Sequence, residues 1–265
     1  MEKWSARDVV AVGYIALCFF FAWFMSLINL IIDKHFPDRA YAQTVVATDV
    51  SPMGDTFLSQ EEVSYWGPRW MFFGPHVFSA IVWWNFSWIQ LIKSIRSKAL
   101  WLHRWNGRIQ VIAMIGQIIT GTGLALHAPT PGIEMVSIAY AFAMTYVLAQ
   151  TVYHVLQKDI VRHKYWATKL FGYAQVIALQ RVFLFSFFAL TLLGSSLYTP
   201  PDLLSSVEAK NAQTKQMFND SFTMAIFCGI AFTEWYQAAD HNALLEYRKK
   251  EADAVKEGLT KPLMA

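Results

Sequence analysis

The sequence predicts an all-α integral membrane protein that folds as a bundle of six transmembrane helices. The chain has 265 residues, of which 55% are hydrophobic and 15% charged, and its mean hydropathy is +0.30. Soluble domains carry roughly 25% charged residues. The hydrophobic residues also fall in long runs, and about 20 helical residues cross the hydrocarbon core of a bilayer. A third observation, the uneven distribution of Lys and Arg among the loops, fits the same fold class.

Six apolar runs define the spans of a single membrane domain over residues 1–265. They cover residues 9–32, 70–92, 109–126, 135–156, 166–194 and 221–239. The first run exceeds the apolar region of a signal peptide, so we interpret it as a retained anchor rather than a cleaved segment. Two long polar segments, 33–69 and 195–220, are predicted as outer loops, and 240–265 as a charged tail.

Small and aromatic residues within the spans predict how the helices pack. Gly116, Gly121 and Gly123 lie in the third span, and small residues let membrane helices approach closely. The many Trp and Phe side chains are expected mostly to face lipid or the membrane interface.

The distribution of Lys and Arg predicts the orientation. With six spans, both termini lie on the same face as the second and fourth loops. This face carries most of the cations, among them the predicted basic loop ahead of the third span, with Lys93, Arg96, Lys98, Arg104 and Arg108. Because Lys and Arg are retained on the cytoplasmic side, both termini are predicted to be cytoplasmic.

Several kinds of soluble-enzyme chemistry have no motif in this chain. Cys18 and Cys228 both fall inside predicted spans, and their spacing indicates neither a disulfide framework nor a thiolate metal site. The sequence shows no glycine-rich phosphate loop, nucleophile elbow or His-Glu-x-x-His zinc helix. We expect the lipid bilayer as a partner and no nucleic acid.

Three histidines are predicted at the inner ends of three different helices. They are His103, His154 and His163. Histidines from separate helices hold haem iron or other metals in bundles, and imidazole is also a common proton carrier. The alternative is a structural one, in which each ring bonds a carbonyl or a lipid phosphate.

His76 and Arg181 are predicted at similar depth in the outer half of the membrane. Arg181 lies roughly 22 Å along the fifth span, and His76 roughly 9 Å from the outer end of the second. Ionisable groups inside a bilayer are costly and usually functional. Glu234 is the obvious carboxylate for Arg181, although the same count places it nearer the inner face. A haem propionate, an acidic substrate or structural hydrogen bonds would also satisfy the guanidinium.

These motifs together resemble a known family. His76, the run Leu102-His103-Arg104-Trp105-Asn106-Gly107-Arg108, the run Asp159-Ile-Val-Arg-His163-Lys-Tyr-Trp166, and Arg181 occur in the expected order. The pattern over about residues 76–185 is similar to a family of predicted membrane proteins of unknown function with a haem-cytochrome-like helical core. The resemblance implies that His76, His103, His163 and Arg181 form the functional set.

The core also resembles the transmembrane b-type cytochromes that ascorbate reduces, which pair histidines from a four-helix core. The outer half of the fourth span, Met135 to Thr145, has no histidine to pair with His76. The resemblance therefore implies one inner haem b between His103 and His163.

Three functional hypotheses follow. The first is transmembrane electron transfer through haem b, as a haem oxidoreductase with His76 and Arg181 forming an outer site for a small reductant or quinone. The second is a cofactor-free transporter or proton-coupled carrier, with His76, Arg181 and Glu234 along a polar pathway. The third is a structural subunit that docks on other chains of a larger membrane complex.

Overall fold

The computed structural model describes residues 5–31, 69–128, 130–193, 197–199 and 207–256, and these ranges contain helices and turns without a strand. The all-α prediction is therefore confirmed for this part of the chain. The helices are α1 (Ala6–Ile31), α2 (Trp70–Phe86), α3 (Lys93–Lys98), α4 (Leu100–Ala125), α5 (Pro131–Leu156), α6 (Ile160–Ala174), α7 (Val176–Leu192) and α8 (Val207–Lys256), with a 3-10 turn at Ser87–Leu91 after α2. The predicted loop 33–69 lies outside the described residues except for Arg69.

Three helical segments within the described residues are long and apolar enough to cross a membrane. They are Leu100–Ala125, Pro131–Leu156 and Ile160–Thr191. These segments contain most of the predicted third, fourth and fifth spans. The chain is thus a membrane protein with several apolar helices, and the count of six spans stays a prediction.

Several helices begin earlier than the sequence predicted. Helix α4 begins at Leu100 rather than at residue 109, so His103, Arg104 and Arg108 lie on its first turns and the predicted basic loop there is wrong. Hydropathy marks the edge of an apolar run, whereas a helix continues through Lys and Arg, which are good helix formers. Their long side chains reach back to water at a membrane interface.

Helix α8 extends well beyond the predicted sixth span on both sides. It runs from Val207 to Lys256, so residues 207–220 of the predicted outer loop and 240–256 of the predicted tail are helical. The reason is the same as for α4, because these flanking residues are polar but favour helix.

The predicted fifth span is interrupted at Gln175, where α6 ends and α7 begins. The Tyr140 hydroxyl on α5 donates to the backbone carbonyl of Tyr173 over 2.6 Å. The side-chain amide of Gln175 donates to the backbone carbonyl of Phe171 over 3.0 Å. Gln175 keeps right-handed helical angles, at φ −70° and ψ −14°, so the step is a local turn whose two freed backbone acceptors are satisfied by side chains.

The bundle has two ends, which we name after histidines. At the His163 end α4 begins and α5 turns into α6. Arg7 at the start of α1 donates to the backbone carbonyl of Tyr236 on α8 over 2.9 Å. Gln237 donates to the carbonyl of Tyr165 on α6 over 2.8 Å. The second half of α8 and the start of α1 therefore belong to the His163 end.

At the opposite end, the His127 end, α4 finishes and α5 begins. The Thr130 hydroxyl bonds the Asn219 side chain over 3.2 Å, which places the first half of α8 there. His127 itself caps the last turn of α4, with Nδ1 2.8 Å from the carbonyl oxygen of Gly123. His127 therefore has a capping role at this turn.

Glycines bring α2 and α4 into close contact, as the sequence predicted. A Cβ on Gly116 would lie 2.6 Å from Ser79 Oγ, and one on Gly123 would overlap the ring of Phe72. A Cβ on Gly121 would lie 3.4 Å from Cε1 of His76. Backbone contact at these positions therefore holds His76 against α4.

Two tryptophans depart from the predicted lipid-facing arrangement. Trp83 and Trp84 on α2 are 4% and 8% exposed and belong to the core. Trp84 meets Phe19 of α1 edge to face at 4.9 Å between ring centroids, and Trp83 lies 6.4 Å from the ring of Phe171 on α6. Their large area fills the bundle interior, whereas Trp88, Trp101, Trp105 and Trp235 are exposed as expected.

The packing of neighbouring helices describes a ring around this core. Helix α4 packs on α2 and α5, α5 on α6, α6 on α8, α8 on α7, and α7 on α1. The Phe19–Trp84 contact joins α1 back to α2. Among the described residues, α4 and α6 both pack on α5 but not closely on one another.

Candidate functional site

The turn from α5 to α6 sets the positions of two predicted site histidines. Helix α5 ends with Lys158 in the left-handed conformation, at φ 60°, and the amide of Asp159 bonds the carbonyl of His154 over 2.9 Å. The Asp159 side chain then caps α6 by accepting from the Arg162 amide over 3.0 Å. These bonds fix the start of α6, and therefore His163, relative to the end of α5.

The ring of His163 is oriented by the backbone of α5. Its Nδ1 atom lies 3.0 Å from the carbonyl oxygen of Thr151. Because a carbonyl only accepts, Nδ1 carries the proton, and Nε2 of the neutral ring keeps a lone pair. A carbonyl on Nδ1 is the arrangement that commonly orients a metal-ligating imidazole.

His103 lies on the first turn of α4, at the same end of the bundle. Its Nδ1 atom is buried and has no hydrogen-bond partner among the residues that the structure describes. His103 and His163 are close enough to interact electrostatically. The structure thus brings together the two histidines that the resemblance paired.

His154 completes a group of three histidines at this end. Its Nδ1 lies 3.9 Å from Asp159 Oδ2, while Arg162 approaches the same carboxylate at 2.9 Å. His154 also interacts electrostatically with His163. Within the described ranges no group of three or more His, Cys, Asp or Glu is arranged to hold a bare metal ion. A haem iron, in contrast, needs only two axial ligands.

His76 and Arg181 also lie near one another, as their predicted depths indicated. The charge of Arg181 on α7 acts electrostatically on His76 of α2. His76 Nδ1 is 3.1 Å from the Thr120 hydroxyl, which donates to the carbonyl of Gly116 over 2.6 Å. A hydrogen-bonded chain therefore ties the His76 ring to α4.

Glu234 pairs with Lys169 and not with Arg181, the partner that the sequence analysis considered. Lys169 on α6 lies 2.8 Å from Glu234 Oε1, and the Tyr173 hydroxyl donates to the same oxygen over 2.6 Å. Lys169 is buried, and its ammonium lies 5.1 Å from the ring centroid of Tyr165 and 5.3 Å from that of Trp166.

The sequence analysis did not identify this ion pair. The signal was present, because Lys169 lies inside the predicted fifth span. The criterion that selected Arg181, an ionisable residue within an apolar run, applies equally to Lys169.

Arg104 and Arg108 are exposed on α4 and stand apart from the buried groups. The guanidinium of Arg108 lies over the Trp105 ring at 5.3 Å. Exposed Arg and Trp side chains on the first turns of a membrane helix are typical of the lipid head-group region.

Comparison with known proteins gives a match to the model of one family. Residues 73–201 match the model of a family described as "Predicted membrane protein (DUF2306)". The matched region runs from α2 to beyond α7 and contains all five predicted cofactor residues: His76, His103, His154, His163 and Arg181. No curated protein and no solved structure matches the chain at a significant level. The segment from α2 to α7 is therefore similar to an uncharacterised family of predicted membrane proteins.

Proposed function

We propose that this protein transfers electrons across a membrane through a haem b held by His103 and His163, within a six-span bundle whose termini are cytoplasmic. The observation that carries the proposal is that His103 of α4 and His163 of α6 lie at the same end of the bundle, near enough to interact electrostatically, with the His163 ring oriented by the Thr151 carbonyl.

The residues present fit a bis-histidine haem. His163 offers Nε2 with its lone pair, and His103 offers an imidazole with a buried nitrogen that has no hydrogen-bond partner in the described ranges. A buried polar atom without a partner costs about 1–3 kcal/mol, which ligand binding at the ring would offset. Helices α4 and α6 both pack on α5 and not closely on one another.

The chain's own residues would set the properties of such a centre. Haem supplies reversible one-electron chemistry, and its potential depends on the axial ligands, nearby charge and solvent access. Arg181 and His76 lie together on the interior side of α7 and α2. A fixed positive charge there would attract a small reductant or a quinone to the outer half of the bundle.

Paired substitutions test the ligand assignment. We expect His103→Gln and His163→Gln each to lower the haem content of the purified protein to about a tenth of the wild-type value, because a single histidine holds the iron weakly. His127→Gln is the matched control, since His127 caps α4 at the other end. Equal haem content in all three folded variants would contradict the assignment.

A second candidate is a proton-coupled carrier without a cofactor. The observation that favours it is the cluster in which Glu234 bonds Lys169 and Tyr173, because ionisable groups within membrane spans are usually functional. In this case Arg181→Gln and Glu234→Gln would stop substrate movement into proteoliposomes, and the purified wild-type protein would contain no haem.

A further inference from the structure

One face of α4 begins with alternating tryptophans and arginines. Trp101, Arg104, Trp105 and Arg108 occupy positions i, i+3, i+4 and i+7, so they share one face of the helix. All four side chains are exposed. The guanidinium of Arg108 lies 5.3 Å from the centroid of the Trp105 ring, so these two side chains lie alongside one another. We name these four residues the Arg104 face.

Apolar side chains continue the Arg104 face toward the His127 end. Ile112, Ile115 and Ile119 are exposed and follow Arg108 at steps of four, three and four residues. Helix α4 has 26 residues and is thus about 39 Å long, whereas the hydrocarbon core of a bilayer is about 30 Å thick. The excess length lies at the His163 end, where α4 carries its cations. The Arg104 face therefore reaches the lipid phosphates, and the isoleucines lie beside the acyl chains.

No acidic residue lies near the Arg104 face in the sequence. Residues 63–133 contain no Asp or Glu, whereas α3 alone carries three cations. Helices α3 and α4 pack most closely on α2, the 3-10 turn and α5, and Glu134, the single acid of these elements, lies at the His127 end. Arg104 and Arg108 make no ion pair with a residue that the structure describes. The positive charge of this face therefore favours an anionic ligand.

The spacing of Arg104 and Arg108 fits a single phosphate group. Side chains four residues apart on a helix are neighbours, with Cβ atoms about 5–6 Å apart, so both guanidinium groups can reach one anion. Each guanidinium presents a planar set of N–H donors that matches phosphate oxygens. The phosphate of a choline lipid is paired with the lipid's own ammonium group, whereas the phosphate of a glycerol head group carries uncompensated charge. An anionic lipid therefore gains more from these arginines than a zwitterionic one.

We propose that the Arg104 face binds one anionic phospholipid of the surrounding membrane. The lipid phosphate lies between the guanidinium groups of Arg104 and Arg108, the rings of Trp101 and Trp105 flank the head group, and one acyl chain follows the exposed isoleucines of α4. Phosphatidylglycerol has the required chemistry, because its phosphodiester has no compensating cation. The inference does not depend on whether haem is bound.

Native mass spectrometry of the full chain in detergent tests the proposal. The measured quantity is the apparent dissociation constant of the first bound lipid. The probes are dioleoyl phosphatidylglycerol and dioleoyl phosphatidylcholine, which have the same acyl chains and differ in the charge of the head group. We expect phosphatidylglycerol to bind about tenfold more tightly, as one charge-assisted hydrogen bond allows.

Two double variants that remove the same charge separate a site from a general charge effect. Arg104→Gln with Arg108→Gln should weaken phosphatidylglycerol binding about tenfold and remove the preference for this lipid. Lys249→Gln with Lys250→Gln is the matched control, because both lysines are exposed on α8 at the same end of the bundle. The control should bind both lipids like the wild-type protein. If the arginine variant does not fold, the lipid preference of the wild-type protein decides alone.

A competition measurement distinguishes a lipid from a soluble anion. Glycerol 3-phosphate carries the phosphate without acyl chains, so we expect an excess of it to leave phosphatidylglycerol bound. Complete displacement by this anion would overturn the proposal of a lipid site. So would equal affinity of the wild-type protein for the two lipids, or an equal loss of phosphatidylglycerol binding in the arginine and lysine double variants.

Discussion

His163 and Thr151 are joined across the α5–α6 turn by a bond from the imidazole Nδ1 to a backbone carbonyl, 3.0 Å long. The acceptor belongs to the main chain, so the orientation of the ring depends on the fold of α5 and not on the identity of residue 151. The Thr151 hydroxyl is engaged elsewhere, since it donates to the carbonyl of Val147.

Thr151→Val should therefore leave His163 in place. We expect the variant to retain the haem content of the wild-type protein and to lose about 1 kcal/mol of stability with its hydroxyl bond. His163→Gln, in contrast, should lose the haem. Pyridine haemochrome assays on both purified variants check this, and a haem loss in Thr151→Val equal to that in His163→Gln would disprove the backbone-orientation account.

Lys158 predicts a stabilising substitution at the α5–α6 turn. The residue is exposed and adopts φ 60°. A residue with a Cβ atom loses about 1 kcal/mol of stability in this left-handed conformation, whereas glycine does not. Lys158→Gly should raise the free energy of unfolding by about that amount. Thermal unfolding in detergent measures it, with Lys164→Gly on the neighbouring helical surface as the destabilising comparison. A lower melting temperature for Lys158→Gly would refute the assigned strain.

The Lys169–Glu234 pair predicts strong coupling between two substitutions. Glu234→Leu leaves the buried ammonium without its carboxylate, and we expect a loss of about 2 kcal/mol, reduced by the partial exposure of Glu234. Lys169→Met combined with Glu234→Leu should recover most of this loss, because an apolar pair needs no compensating charge. Additive effects in this double-mutant cycle would show that the pair is not a stabilising unit.

Two glycines, one on α4 and one on α1, predict opposite effects of added side chains. Gly123→Leu forces a side chain into the ring of Phe72 and should cost about 1–3 kcal/mol or more. Gly13→Ala on α1 meets nothing within 4 Å and should gain about 0.5–1 kcal/mol. Unfolding temperatures of the two variants give the comparison, and tolerance of leucine at position 123 would contradict the packing of α2 on α4.

The helical class, and the close approach of some neighbouring helix to α4, could be predicted because both follow from local patterns. Long apolar runs predict helices, and glycines at 116, 121 and 123 predict close approach. The positions of helix ends could not be predicted from hydropathy, since α4 and α8 continue through Lys and Arg.

Sequence patterns single out candidate residues, whereas the partner of Glu234 could not be predicted from them. The histidines and Arg181 are distinguished by ionisable chemistry at the edges or inside of apolar runs. The partner of Glu234 depends on how α6 meets α8, which no local pattern specifies, so Lys169 was missed. The burial of Trp83 and Trp84 likewise depends on α1 and α6 packing against α2.

The optical spectrum of the purified protein, oxidised and then reduced with dithionite, tests the central claim most directly. The protein should be expressed with haem available and its extracted haem quantified against protein. The account predicts a sharp reduced band typical of a b-type cytochrome at about one haem per chain. A folded protein without a band and without extractable haem would contradict it.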